Sequence, residues 1–364
     1  MDNYINSSEY TNSLVFCLVK IIHNNDNNLN LLKERGIIIK ICDSLDNYIY
    51  DESLIESVST LFANVLISHD PGLWELNILD NIIKILDSFN SRENNQIILN
   101  CVLCINQMAA TPSGIERIAD SRFQEVFFET IERKSNNSEI VKFSTQLLGN
   151  YLAKEIGNNI KNMNFHKLID YCNSLQQSFY YNSDVLTNIN ILAGCIIYNI
   201  NEKNLKENLI LLINESVKIQ DWNVNLIQIS LTLFIEIFDQ NNCLIDNVFE
   251  EILLSCLNFL ANHNDSEILI LSCKILLIFS RNYIYMCVMV SKSLVQIIRS
   301  LMDKLDEIEK KDEIRELLFK IISLLIPEYH NAKKVSEELM NKFIYYSITA
   351  EFARSQKDLL VSKP

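Results

Sequence analysis

Glycine and proline are nearly missing from this 364-residue chain, with 6 and 4 copies respectively. Glycine supplies positive φ and proline pre-sets turn geometry, so a β-sandwich, a barrel or a dinucleotide-binding α/β domain of this length would need far more of both. What remains is helices joined by short polar loops, in which Asn, Asp and Ser cap helix ends and fill turns. The same scarcity removes the glycine-built chemistry. No GxSxG elbow, GxxxxGK phosphate loop or GxGxxG turn occurs.

Positive charge is short as well. The formal net charge is -14, both halves are acidic and no basic stripe is found. Phosphate binding needs clustered Lys and Arg, so nucleic acid is not expected as a ligand. A basic protein surface suits this field better. The start, Met1-Asp2-Asn3-Tyr4-Ile5, is polar and acidic and carries no secretion signal, which leads us to expect a cytoplasmic or nuclear protein. Ile268 to Val290 is long enough to cross a bilayer, but Lys274 and Arg281 lie inside it, where a charge is costly. Two buried helices joined near Arg281–Asn282 are expected instead, with no membrane span.

Paired metal or nucleophile patterns are also lacking. His23, His69, His166, His263 and His330 are scattered singly, and none forms HExxH. His166 and Cys172 are near in sequence, which does not make a catalytic pair. Cys101-Val102-Leu103-Cys104 has redox-like CxxC spacing, but it lies inside an apolar helical run with no second pair to complete a zinc site. The cysteines in apolar runs, namely Cys17, Cys42, Cys195, Cys256, Cys273 and Cys287, are expected to act as small hydrophobes with free thiols. Asp306, Glu307, Glu309, Asp312 and Glu313 alternate with lysines, as on a solvated helix face with local ion pairs. No enzyme, cofactor or metal is expected.

What is present is repetition. Leu61-Phe62-Ala63-Asn64-Val65-Leu66 aligns with Leu103-Cys104-Ile105-Asn106-Gln107-Met108 and with Leu147-Leu148-Gly149-Asn150-Tyr151-Leu152. Looser rungs begin at Leu192, Leu233, Leu276 and Ile321, and a poorer one lies near Leu18, at intervals of 41 to 45 residues between the successive rungs from Leu61 onward. In each unit a polar loop such as Ser135-Asn136-Asn137-Ser138 precedes a long apolar helix. A break follows, as at His69-Asp70-Pro71-Gly72 or Thr111-Pro112-Ser113-Gly114, then shorter helices, as over Gly114–Asp120 and Phe123–Ile131. Pro112 suits a helix start. A helix that is apolar all round must be covered by its neighbours, and the expected outcome is an all-α solenoid of about seven to eight units. One domain is expected over 1–364: regular repeats over 1–155, divergent ones over 156–330, and a capping helix and tail over 331–364. Polar end caps are expected before Thr11 and from Asn331 to Lys357.

Residues 29–155 resemble armadillo repeats. Asn95 to Ile131 and Ser138 to Ala153 follow the three-helix order of that family. Asn30-Leu31-Leu32-Lys33-Glu34-Arg35-Gly36-Ile37 is similar to its join between the short and second helices. Beyond Leu192 the repeated Asn gives way to Cys195, Glu236 and Phe279, so the later units are either HEAT-like or divergent armadillo units. The resemblance implies a right-handed superhelical solenoid with a concave groove in which Asn64, Asn106 and Asn150 hold the backbone of a bound segment. A purely structural reading, in which each amide satisfies backbone groups of the next unit, stands beside it. The tryptophans that flank these asparagines in nuclear import receptors are missing, since Trp74 and Trp222 lie elsewhere. The implied function is a non-catalytic scaffold or adaptor holding a basic or extended protein segment. The alternative is a regulatory solenoid acting on a folded partner such as a small GTPase or an Hsp70-type chaperone.

Overall fold

A computed structural model describes residues 8–22, 25–67, 77–119, 122–154, 164–240, 245–292 and 294–331. They are α-helical with short 3-10 turns at Leu45–Asn47 and Leu305–Glu307, and no strand occurs among them. The helices are α1 (Ser8–Ile22), α2 (Asp26–Glu34), α3 (Ile37–Ser44), α4 (Glu52–Leu66), α5 (Ile78–Phe89) and α6 (Asn95–Ala109), followed by α7 (Pro112–Ala119), α8 (Phe123–Arg133) and α9 (Ser138–Lys154). Next come α10 (Phe165–Ser178), α11 (Ser183–Asn199), α12 (Lys203–Ile219), α13 (Val224–Gln240), α14 (Ile245–Asn262), α15 (Ser266–Phe279), α16 (Tyr283–Ser291), α17 (Leu294–Lys304) and α18 (Lys311–Asn331). The chain divides into two compact units, 1–251 and 252–364, with the boundary inside α14.

Helix starts follow the loop chemistry. Asp51, Asn94, Asn137, Asn182, Asn223 and Asp265 each accept a backbone N–H of the first turn of α4, α6, α9, α11, α13 and α15. An N-cap of this kind satisfies one of the four donors that a helix start leaves open. Pro112 opens α7 as expected. Gly36, between α2 and α3, has φ +62, and Asn77 takes the same left-handed conformation before α5, so an Asn replaces the Gly at the second join.

In the first unit α1, α4, α6, α9, α11 and α13 pack in that order, each against the next. The rungs at Leu61, Leu103, Leu147, Leu192 and Leu233 all fall on these helices. Each interior member of the row is therefore covered on two sides, which is why α4 and α6 bury Leu54, Phe62, Val65, Ile98, Val102 and Ile105 completely or nearly so. Full burial of such a side chain contributes roughly 1.5–3 kcal/mol. Shorter helices form a second layer, in which α5 packs on α8 and α10 on α12, and Lys167 pairs with Glu132 between α10 and α8 at 2.9 Å.

Two shorter helices precede α4 and again α9, giving the three-helix groups α2–α3–α4 and α7–α8–α9. Among the described residues, α10–α11 and α12–α13 are groups of two. In the second unit α15 packs on α18, and the grouping α16–α17–α18 is again threefold. The apolar stretch at 268–290 breaks as expected, with α15 and α16 separated at Ser280–Asn282. None of the described helices is long and apolar enough to cross a membrane.

One sequence expectation needs correction. Cys17 and Cys287 are exposed, because each lies on the outward side of its helix, while Cys42, Cys101, Cys104, Cys172, Cys256 and Cys273 are buried. Of the segment before Thr11, the described residues begin α1 and expose Glu9 and Tyr10. The break at 69–72 and the capping helix and tail beyond 331 lie outside the described residues.

Candidate functional site

Asn64, Asn106 and Asn150 lie at one position of α4, α6 and α9 and are all half-buried. Asn150 Nδ2 donates to Asn106 Oδ1 at 3.1 Å, and Asn106 Nδ2 donates to Gln146 Oε1 at 3.3 Å. Two of the three asparagines are thus brought together across the α6–α9 contact. Asn64 Nδ2 turns to its own helix and donates to the Thr60 carbonyl at 2.9 Å. The expectation that each amide would bond the next unit's backbone is therefore not met: side chain meets side chain at Asn106 and Asn150. The bonds leave amide capacity facing solvent, since Asn150 Oδ1 has no bond to any described residue.

The row changes character beyond α9. Cys195 on α11 is half-buried and its thiol is pushed up to about 11, chiefly by burial and further by the Glu236 carboxylate, against a lowering backbone hydrogen bond. The Tyr198 phenol is raised for the same two leading reasons. The Cys195 and Glu236 positions thus remain neighbours. Phe279 is fully buried in the second unit, so the aligned position there faces the core.

Close approach of the helices at this row depends on small residues. A Cβ on Gly149 would lie 3.8 Å from Ile191 Cγ2, an ordinary contact, whereas one on Gly194 would meet Leu233 Cδ2 at 2.8 Å. Asn199, which sequence reading passed over, donates to the carbonyls of Leu152 at 3.4 Å and Cys195 at 2.8 Å and so bridges α9 and α11.

Other missed amides lie deeper. Asn100 Nδ2 donates to Ser59 Oγ at 3.1 Å and Thr60 Oγ1 at 2.9 Å, joining α6 to α4. Asn190 Nδ2 donates to Ser230 Oγ at 2.9 Å, joining α11 to α13, and both residues are fully buried. Asn12 bonds Ser53 and Ser57 between α1 and α4. The signal was present in the sequence as Asn placed 40 to 45 residues from Ser or Thr, which is one repeat length.

The remaining candidates are inert in their settings. Cys101 and Cys104 are fully buried in α6, and burial pushes both thiols far above the ordinary range. A buried neutral thiol is a poor nucleophile. His166 is exposed on α10 while Cys172 of the same helix is fully buried, so the two face different ways. The acidic run places Asp306 in a 3-10 turn ahead of α18, not on a helix face. Arg315 pairs with it at 2.8 Å and holds its carboxyl below the usual range. No cluster able to hold a metal ion occurs among the described residues.

The chain matches no protein-family model, and no curated protein matches it significantly.

Proposed function

We propose that this chain is an armadillo-like helical solenoid of about seven to eight units that serves as a protein-holding scaffold, engaging its partner along the faces of α4, α6 and α9. The observation that carries this reading is the Asn106–Asn150 pair: two amides one repeat apart, half-buried, bonded side to side, with acceptor capacity left towards solvent. An extended segment presents N–H and C=O groups at regular intervals, and a row of amides can pair with them. The ordered packing of α1, α4, α6, α9, α11 and α13 supports a repeat array, and the Gly36 and Asn77 joins support its armadillo character in the first units. The net charge of -14 suits a basic segment, and a cytoplasmic or nuclear setting suits the free buried thiols.

The test uses a photo-crosslinking residue at exposed Ala153, one turn beyond Asn150, in the full chain within its native cells. The reading expects an adduct with a protein segment that is lost in the triple variant Asn64→Ala, Asn106→Ala, Asn150→Ala. Adducts that are unchanged in the triple variant, or that map only onto a folded globular surface, would transfer the function to the regulatory alternative.

A further inference from the structure

The residue just before an N-cap is exposed, and its place in the repeat is filled by polar Glu93 before Asn94, Asn136 before Asn137 and Asn264 before Asp265, as solvation favours. At three of these equivalent positions the chain instead places an aromatic: Tyr50 before Asp51, Tyr181 before Asn182 and Trp222 before Asn223. They are 75%, 78% and 69% exposed, which makes them the most exposed of the large hydrophobic side chains described. A single exposed aromatic is ordinary, but Tyr181 and Trp222 hold the same place in two consecutive units, which is not scatter.

Tyr181 and Trp222 belong to neighbouring loops, before α11 and α13. The loops are fastened together, because the buried Gln220 donates through Nε2 to the Tyr180 carbonyl at 2.9 Å. Tyr180 packs its ring on Tyr181 with centroids 3.8 Å apart, widening the aromatic surface. Beside it opens a cleft of about 530 Å³ bordered by Phe179, Tyr181, Asn182 and Asp184.

The electrostatics here are acidic. Asp221, next to Trp222, meets no cation among the described residues. The nearby lysines are already engaged: Lys142 pairs with Asp184 at 2.8 Å, and Lys218 pairs with Glu215 and Glu251. Aromatic faces beside an unneutralised carboxylate attract a cation, and a guanidinium, planar and weakly hydrated, stacks on such faces while bonding the carboxylate. Tyr, Trp and Arg are also the residues that most often carry binding energy at protein interfaces.

We propose that Tyr181, Trp222 and Asp221 form a second docking surface, on the loop edge of the first unit, that takes an arginine-bearing segment of a partner protein. It is separate from the asparagine row and does not rest on that reading.

The chain has two tryptophans, so Trp74→Phe leaves Trp222 as the sole indole. This variant is titrated with a synthetic Gly-Arg repeat peptide and with matched lysine and citrulline peptides, following indole emission. The expected result is a saturable change with the arginine peptide, weaker binding of the lysine peptide and no response to citrulline. Tyr181→Ala or Asp221→Asn should weaken arginine-peptide binding by about fivefold, whereas Asn106→Ala with Asn150→Ala should leave it unchanged. No saturable change overturns the proposal. So does an equal response from the citrulline peptide, or a response untouched by Tyr181→Ala and Asp221→Asn. A response abolished by the Asn106 and Asn150 changes also overturns it, because the peptide would then lie in the groove.

Discussion

Asn150 hands a hydrogen bond to Asn106 across 44 residues of sequence, at 3.1 Å. The bond ties α6 to α9, and it does so at a half-exposed position where both amides can exchange it for another partner. That distinguishes it from the Asn100 bond to Ser59, which is buried.

Replacing the half-exposed row should therefore cost binding more than stability. For the variant Asn64→Ala, Asn106→Ala, Asn150→Ala, partner affinity should fall by at least about tenfold, since each lost amide contact is worth about 1 kcal/mol net. Helical circular dichroism and most of the thermal midpoint should remain. An early-unfolding variant with unchanged partner affinity would make these residues structural staples.

Asn100→Ala should behave in the opposite way. It removes the bonds donated to Ser59 and Thr60 and the one accepted from Gln96, and leaves a small void between α6 and α4, so urea denaturation should show a loss of about 1–3 kcal/mol. Partner binding by the folded fraction should be normal.

The buried thiols predict a pH dependence with a definite sign. Burial pushes Cys172 and Cys273 up to about 12, and Cys42 reaches about 12 with a smaller contribution from Asp43. In the unfolded chain the same groups ionise near 8.5. A raised folded value means that the stabilisation is complete below about pH 8 and is lost progressively as pH rises towards the folded values. The urea midpoint should fall steadily between pH 8 and 10, and Cys172→Ala with Cys273→Ala should flatten the slope. In native-state alkylation Cys17 and Cys287 should react first and Cys101 and Cys104 last. Replacing either of the latter two by Ala should cost roughly 1–2 kcal/mol through lost packing.

Two glycines make a matched pair. A Cβ at Gly114 would lie 2.1 Å from the Met108 carbonyl oxygen, where α7 folds back on the end of α6, so Gly114→Ala should destabilise by about 2–4 kcal/mol. Gly149 has room for a methyl, and Gly149→Ala should gain about 0.5–1 kcal/mol from helix propensity. Thermal melts of the two variants should shift in opposite directions.

The sequence by itself determined the helical class and the stacked helices. Leucine rungs at 61, 103, 147, 192 and 233 must each lie on a helix covered from both sides, and an Asn or Asp ahead of each such helix sets where it begins. It also located Pro112, the break near Arg281 and the equivalent positions of Asn64, Asn106 and Asn150. Only the tertiary structure decided which of these positions meet. Asn106 finds Asn150 while Asn64 turns to Thr60, because the meeting depends on the lateral offset of α4, α6 and α9, and periodicity within one helix carries no information about offset between helices. The same holds for exposure. Cys17 and Cys287 sit in apolar runs yet face outward, and Tyr181 and Trp222 look like ordinary hydrophobes in sequence. Burial is set by what packs beside a residue, and that neighbour is usually a full repeat away.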